Sequence, residues 1–148
     1  MSTFVNEENT GYRPDNVYGN VIAKIKEDGV CPFCEKNLPN YHKKPILKKG
    51  KYWLLTDNMY PYEGAKYHLL FVHREHIDHL RKMTTEAWAE LYELVEEAIK
   101  ERNIKGGAFL MRFGETSYTG ASVTHLHANL IVADPSREGS RPIMTRLG

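Results

Sequence analysis

The sequence predicts an α+β domain: an antiparallel sheet of about five strands, with one long helix and a short N-terminal helix. Three observations carry this. The stretch Thr124–Val132, T-H-L-H-A-N-L-I-V, alternates as a strand does, with His125, His127, Asn129 and Ile131 on one face and Leu126, Ala128, Leu130 and Val132 on the other. Residues from Thr84 or Thr85 to about Asn103 carry an apolar stripe at helical spacing. Along the chain the elements run helix, hairpin, strand, long helix and two strands, an order that suits helices laid against an antiparallel sheet.

Each element has its own signal. Tyr12-Arg13-Pro14-Asp15 reads as a turn, with Asp15 or Asn16 as N-cap. Val17, Val21, Ile22 and Ile25 then form the stripe of a first helix that Gly29 ends. Ile46–Lys49 and Lys51–Asp57 meet at Gly50 as a hairpin, and Tyr67–His73 is an apolar run suited to a buried strand. In the long helix the predicted buried stripe is Trp88, Leu91, Val95 and Ala98, with Leu94 and Ile99 beside it. Glu90, Glu93, Glu96, Glu97 and Lys100 are read as its solvated face. Gly106-Gly107 turns the chain into strand Ala108–Phe113, and a loop over Gly114–Ser122 leads to the alternating strand. The 148 residues suit one domain. Residues 1–15 and 134–148 are expected to be extended arms, with Pro142–Leu147 docking as a short edge strand.

Composition narrows the class. Hydrophobic content of 41% and charged content of 26% are those of an ordinary soluble protein. A net charge of +1 gives no global field for nucleic acid or membrane. The start, M-S-T-F-V-N-E-E-N, lacks the pattern of a signal peptide, so the expected location is cytoplasmic. Lys36, Lys43, Lys44, Lys48, Lys49 and Lys51 crowd a stretch without acids. A lysine-protected sheet edge explains them better than a phosphate-landing surface.

Two places carry chemistry. Cys31-Pro32-Phe33-Cys34 is a C-x-x-C pair, which serves redox chemistry or metal binding. It follows a helix and precedes a loop, unlike a thioredoxin-type pair, so half of a tetrahedral metal site is the favoured reading. Four histidines, His68, His73, His76 and His79, fall within twelve positions, and one of them is expected to be a ligand. On the alternating strand, two imidazoles and a carboxamide share a face, and burying three polar groups in a row is costly unless something binds them. Gly120-Ala121-Ser122 before it lets backbone N–H groups approach an anion closely.

From Val30 to Ala133 the chain resembles the histidine triad, or HIT, superfamily of nucleotide hydrolases and transferases. The most specific segment is G-A-S-V-T-H-L-H-A-N-L-I, Gly120–Ile131, set against the family pattern H-x-H-x-H with a Ser before it. The segments N-M-Y-P-Y-E-G and H-L-L-F-V-H-R-E-H are most similar to the branch of dinucleoside polyphosphate phosphorylases and galactose-1-phosphate uridylyltransferases. The resemblance implies a HIT-like fold, a homodimer joining two sheets, and a covalent nucleotidyl-imidazole intermediate on the middle histidine, here His127. It implies that Ser122 and the backbone at Gly120, Ser122 and Val123 cradle phosphoryl oxygens, that Asn58 contacts ribose, and that Arg112 faces phosphate. It also implies a structural zinc held by Cys31, Cys34, His76 and His125.

The departure is Asn129, where the family has its third histidine. An amide exchanges hydrogen bonds but holds no titrating proton at neutral pH. An amine leaving group needs a proton as it departs, whereas a polyphosphate needs much less help. Asn129 therefore tilts the expectation towards polyphosphate-linked substrates. Two other classes compete with the enzyme. A nucleotide-binding module without turnover would bind tightly and release no product. A zinc-stabilised interaction or nucleic-acid-binding protein would bind oligonucleotides with steep salt dependence.

Overall fold

The computed structural model describes residues 4–10, 17–139 and 141–148. The turn at Tyr12–Asp15 and the proposed caps Asp15 and Asn16 lie outside the described residues. The first helix, α1 (Val17–Asp28), buries Ile22 and Ile25 and ends at Gly29, whose φ of +70° suits a residue without Cβ. A short helix, α2 (Leu38–Tyr41), follows the C-x-x-C segment where the sequence reads as loop. Next come β1 (Ile46–Lys49), β2 (Trp53–Asp57) and β3 (Ala65–His73). The long helix α3 (Thr85–Glu101) is capped by Thr84, whose Oγ1 accepts from Ala87 N–H at 3.1 Å. Strand β4 (Ala108–Met111), a one-turn helix α4 (Thr116–Thr119) and β5 (His127–Ala133) complete the order.

The five strands pair antiparallel in the order β1-β2-β3-β5-β4. This is the α+β architecture, with an antiparallel sheet of five strands, that the sequence predicts. Side-chain alternation divides the sheet into two faces. Trp53, Leu55, Leu69, Phe71, Ala128 and Leu130 pack against Ala87, Leu91, Leu94 and Ala98 of α3 in the main core. Thr56, His68, Leu70, His127 and Asn129 face the other way, under α1. A second cluster, Ile22 and Ile25 with Val5 and Val123, fastens α1 over that face. No helix among the described residues is long and apolar enough to cross a membrane.

Several expectations change. The strand ladder of β5 begins at His127, three residues after Thr124. Before it the backbone leaves the sheet: Leu126 N–H donates to Ile77 O at 2.7 Å and Thr124 N–H to Phe4 O at 2.9 Å. Trp88 is 41% exposed, and Ala87 takes its place in the buried stripe. Glu90 is not on a solvated face. Its carboxylate accepts from the backbone N–H groups of Lys51, Tyr52 and Trp53 at 2.7, 2.8 and 2.9 Å, closing the β1–β2 turn onto α3. Glu97 takes Lys48 at 2.9 Å, so part of the lysine run pairs with the helix.

The N-terminal arm is packed where it is described. Val5 bridges Val123, a 3-10 turn spans Glu7–Thr10, and the buried Asn9 amide donates to Thr116 O and Ala121 O. Residues Pro142–Leu147 form no strand. Pro142 brings no N–H to a ladder, and the tail instead turns onto the Arg112 guanidinium, which donates to Thr145 Oγ1 at 2.9 Å and to Arg146 O.

Candidate functional site

The end of β3, the residues entering β5 and the C-x-x-C loop converge at one end of the sheet. Cys31, Cys34, His76 and His125 bring four ligand atoms within 4.8 Å of one another. Cys31 Sγ lies 3.4 Å from His125 Nδ1, Cys34 Sγ lies 3.5 Å from His76 Nδ1, and the two Nδ1 atoms are 3.2 Å apart. A tetrahedral ion with zinc–sulfur and zinc–nitrogen bonds of ordinary length would separate such atoms by roughly 3.6 Å and 3.3 Å. His125 Nε2–H donates to His73 O, so its Nδ1 turns a lone pair towards His76. Two ring nitrogens at that distance call for a proton or a cation between them. Burial pushes the Cys31 thiol up to about 12 and the His125 imidazole down to about 4. Burial thus keeps Cys31 and His125 neutral in the protein alone, and two thiols with two imidazoles form a donor set compatible with zinc. An Arg74–Glu35 ion pair ties the loop after Cys34 to the chain before His76, with Arg74 also donating to Gly50 O at 2.8 Å.

Two residues on, His127 turns towards the cavity. Its Nδ1–H donates to the His125 carbonyl at 2.7 Å, which leaves Nε2 with the lone pair. Burial pulls its pKa down to about 4, with the Arg112 charge adding to the effect and the His125 carbonyl opposing it. At neutral pH the ring is therefore an uncharged base. Phe33 meets it edge-on at 5.0 Å between ring centroids.

Asn129 sits one pleat further along the same face. His68 Nδ1 accepts from Tyr62 N–H at 3.1 Å, so its Nε2 carries the proton and donates to Asn129 Oδ1 at 2.9 Å. Asn58 Nδ2 reaches the same oxygen at 3.3 Å, while Asn58 Oδ1 accepts from Tyr60 N–H at 2.8 Å. With Oδ1 occupied in this way, the Asn129 amino group is the end that can serve a ligand.

The cavity over these residues is lined by Arg112, Gly120, Ser122, Val123, His127 and Asn129, and also by Ile22, Ile25, Phe33, Tyr41, His42 and Met59. Gly120 ends α4 with φ of +76°, and a Cβ there would stand 3.0 Å from Arg146 O. The bridge to Val5 uses Ser122 O and Thr124 N–H, so the Val123 N–H points to the opposite side, away from the arm. Ser122 Oγ shares a short contact with Tyr18 OH.

Of the residues singled out in the sequence, Cys31, Cys34, His76 and His125 form one cluster, and His127, Asn129, Ser122, Val123, Gly120, Asn58 and Arg112 line one cavity. Arg112 reaches it with its guanidinium already held by the tail. Sequence reasoning missed His68, which it grouped with three other histidines. Alternation on β3 was the available signal, since His68 shares a face with Leu70 and Val72. Tyr18, Phe33 and His42 were also missed; their place on the wall depends on how α1 and α2 pack.

Comparisons with known proteins agree with this architecture. The family described as "Scavenger mRNA decapping enzyme C-term binding" matches residues 30–142. A HIT family hydrolase from Clostridium thermocellum superposes with a TM-score of 0.58 at 19% identity, over 75% of this chain and 96% of that one. A histidine triad nucleotide-binding protein from Candida albicans gives 0.58 at 17%, over 79% and 86%. A zinc-bound histidine triad family protein from Mycobacterium smegmatis gives 0.55 at 16%, over 73% and 78%. No curated protein matches the chain. With most of its length matched and its sheet and helices arranged as in histidine triad structures, the chain belongs to the scavenger mRNA decapping enzyme C-terminal binding family, on the histidine triad fold.

Proposed function

We propose that the protein is a nucleotide hydrolase or nucleotidyltransferase acting on a nucleotide whose α-phosphate is linked to a polyphosphate leaving group. One observation carries the reading: the His127 Nδ1–H is tied to the His125 carbonyl at 2.7 Å, which leaves Nε2 unprotonated at the cavity. In the proposed reaction Nε2 attacks the α-phosphorus, a P–N bond forms, and the P–O bond to the polyphosphate breaks with its electron pair leaving on oxygen. Water or another acceptor then attacks the same phosphorus, a P–O bond forms, the P–N bond breaks with its pair returning to Nε2, and the proton that water loses passes to solvent.

The neighbouring groups suit that sequence of events. The Val123 N–H, the Ser122 hydroxyl and the Asn129 amino group are donors for phosphoryl oxygens, and Arg112 adds charge once it exchanges its tail carbonyl for phosphate. Asn58, which lines the same cavity, would contact the ribose. Asn129 offers no proton for an amine to take away, so a diphosphate or triphosphate is the leaving group of choice. The family name and the hydrolase and nucleotide-binding names of similar structures support this reading. An mRNA cap is itself a pair of nucleosides bridged 5′ to 5′ by a triphosphate.

Cys31, Cys34, His76 and His125 would hold a zinc ion whose four protein ligands leave no place for water, so it would supply structural cross-linking. Their role is to fasten the C-x-x-C loop to the chain entering β5 and to set the His125 carbonyl against His127. A homodimer across β4 is part of the same proposal. That strand is an edge of the sheet, and its own Phe109 is 44% exposed.

The test is product analysis with diadenosine tetraphosphate, with and without inorganic phosphate, for wild type and His127→Ala. AMP and ATP from wild type alone identify a hydrolase, and ADP and ATP formed only with phosphate identify a phosphorylase. Tight nucleotide binding with no product from any dinucleoside polyphosphate would instead select the binding-module reading, for which the amide in place of a third histidine is the specific observation.

A further inference from the structure

The cavity lining holds a further polar group with an assignable role. His42 follows α2, with extended backbone and its N–H bonded to Leu38 O, and its half-buried ring lines the cavity beside Tyr41 and Met59. Its Nε2 lies 2.7 Å from Thr56 Oγ1, and that oxygen lies 2.8 Å from Pro45 O. A carbonyl cannot donate, and Thr56 has one hydroxyl hydrogen. The hydroxyl therefore donates to Pro45 O and accepts from a His42 Nε2–H. With that tautomer fixed, Nδ1 carries a lone pair, and burial favours the neutral ring. Among the described residues no hydrogen bond reaches Nδ1.

The position is what a base would need. Thr56 pairs with Leu70 and Leu70 with Asn129, so His42 stands over a site two strands from the phosphate side, roughly 10 Å at ordinary strand spacing. A nucleotide spans a comparable distance from its α-phosphate to the outer edge of its base. Apolar or aromatic residues line the same cavity: Ile22, Ile25, Phe33 and Met59. The Tyr41 hydroxyl is committed elsewhere, donating to Asp28 Oδ2 at 2.7 Å.

We infer that His42 is a specificity-determining residue that accepts a hydrogen bond at Nδ1 from an N–H on the edge of the substrate's base, with Thr56 as the positioning residue that sets its tautomer. The inference rests on the nucleotide reading above and adds the chemistry of the base: an edge bearing a ring or exocyclic N–H.

Calorimetric titration with AMP, GMP, CMP, UMP and purine riboside 5′-monophosphate tests it. The last keeps purine shape and carries no N–H donor on its base. Wild type is expected to bind at least one of the four natural nucleotides about five- to fifty-fold more tightly than the purine riboside, the cost of leaving one buried acceptor unpaired. His42→Phe is expected to close that gap. Thr56→Val, near-isosteric and remote from the ligand, is expected to narrow it by releasing the tautomer, and it decides the matter should the Phe variant fail to fold. Equal wild-type binding of purine riboside and the tightest natural nucleotide overturns the role of His42 while leaving the nucleotide reading intact. A gap that persists in both variants does the same. No binding of any of the five overturns the nucleotide reading and this inference together.

Discussion

Replacing Asn129 separates two jobs that its amide performs at opposite ends. In Asn129→Ala the His68 Nε2–H loses its 2.9 Å acceptor, and His68 is 5% exposed, so water replaces that acceptor poorly. Taking a hydrogen-bond acceptor away from a buried donor costs about 1–3 kcal/mol. For a chain of this size that corresponds to a fall in melting temperature of about 2–12 °C. The same change removes one N–H donor from the phosphoryl oxygens, which is expected to slow turnover of diadenosine tetraphosphate by about ten- to a hundred-fold. Asn129→Asp divides the effects: an oxygen still accepts from His68, so stability is kept, while the donor is lost and turnover falls. Thermal unfolding and steady-state kinetics on the three proteins read both outcomes. An unchanged melting temperature in Asn129→Ala would refute the His68–Asn129 pairing. A loss of turnover as large as in His127→Ala would refute the division of roles, because it would give Asn129 a part in bond-making.

Other expectations follow from single contacts. Purified protein is expected to carry about one zinc per chain by elemental analysis, with Cys31→Ser losing the metal and melting lower; absence of zinc together with an unchanged melting temperature would contradict the cluster's role. Glu90→Ala is expected to cost about 2–4 kcal/mol in urea unfolding, because three backbone N–H groups lose a charged acceptor and the Trp53 N–H is enclosed by the core. A change under about 0.5 kcal/mol would return Glu90 to a solvated face. Arg112→Ala is expected to lower kcat/KM by about tenfold, mostly through KM; unchanged kinetics would mean that the guanidinium serves the tail alone.

Much of the fold was legible because its signals are local. Alternation in L-H-A-N-L-I-V determines which face of β5 meets α3, and a one-residue slip would have put His127 in the core. The Thr84 cap and the Gly29 stop are likewise written in neighbouring residues. What the sequence hides is tertiary. Trp88 and Ala87 are adjacent, and the small residue goes inward because Trp53 packs there, donating its indole N–H to Ala87 O at 2.8 Å. Glu90 looks like any surface acid until the hairpin turn arrives beneath it. The C-x-x-C pair could be read as half a site, but no spacing within the chain says that His76 and His125, 49 residues apart, complete the cluster. That pairing came from a family likeness. His68 and His42 escaped notice for the same reason: each is defined by a hydrogen bond to a residue of a different element, Asn129 on β5 and Thr56 on β2.

The central claim is that His127 Nε2 becomes bonded to the α-phosphorus, and the most direct measurement is the intact mass of the protein during turnover. Wild type mixed with diadenosine tetraphosphate and quenched rapidly in base, which preserves P–N bonds, is expected to gain the mass of one adenylyl group, mapped to His127 by peptide fragmentation and absent from His127→Ala. Turnover at full rate with no adenylylated species at any quench time, or an adduct on another residue, would contradict the account.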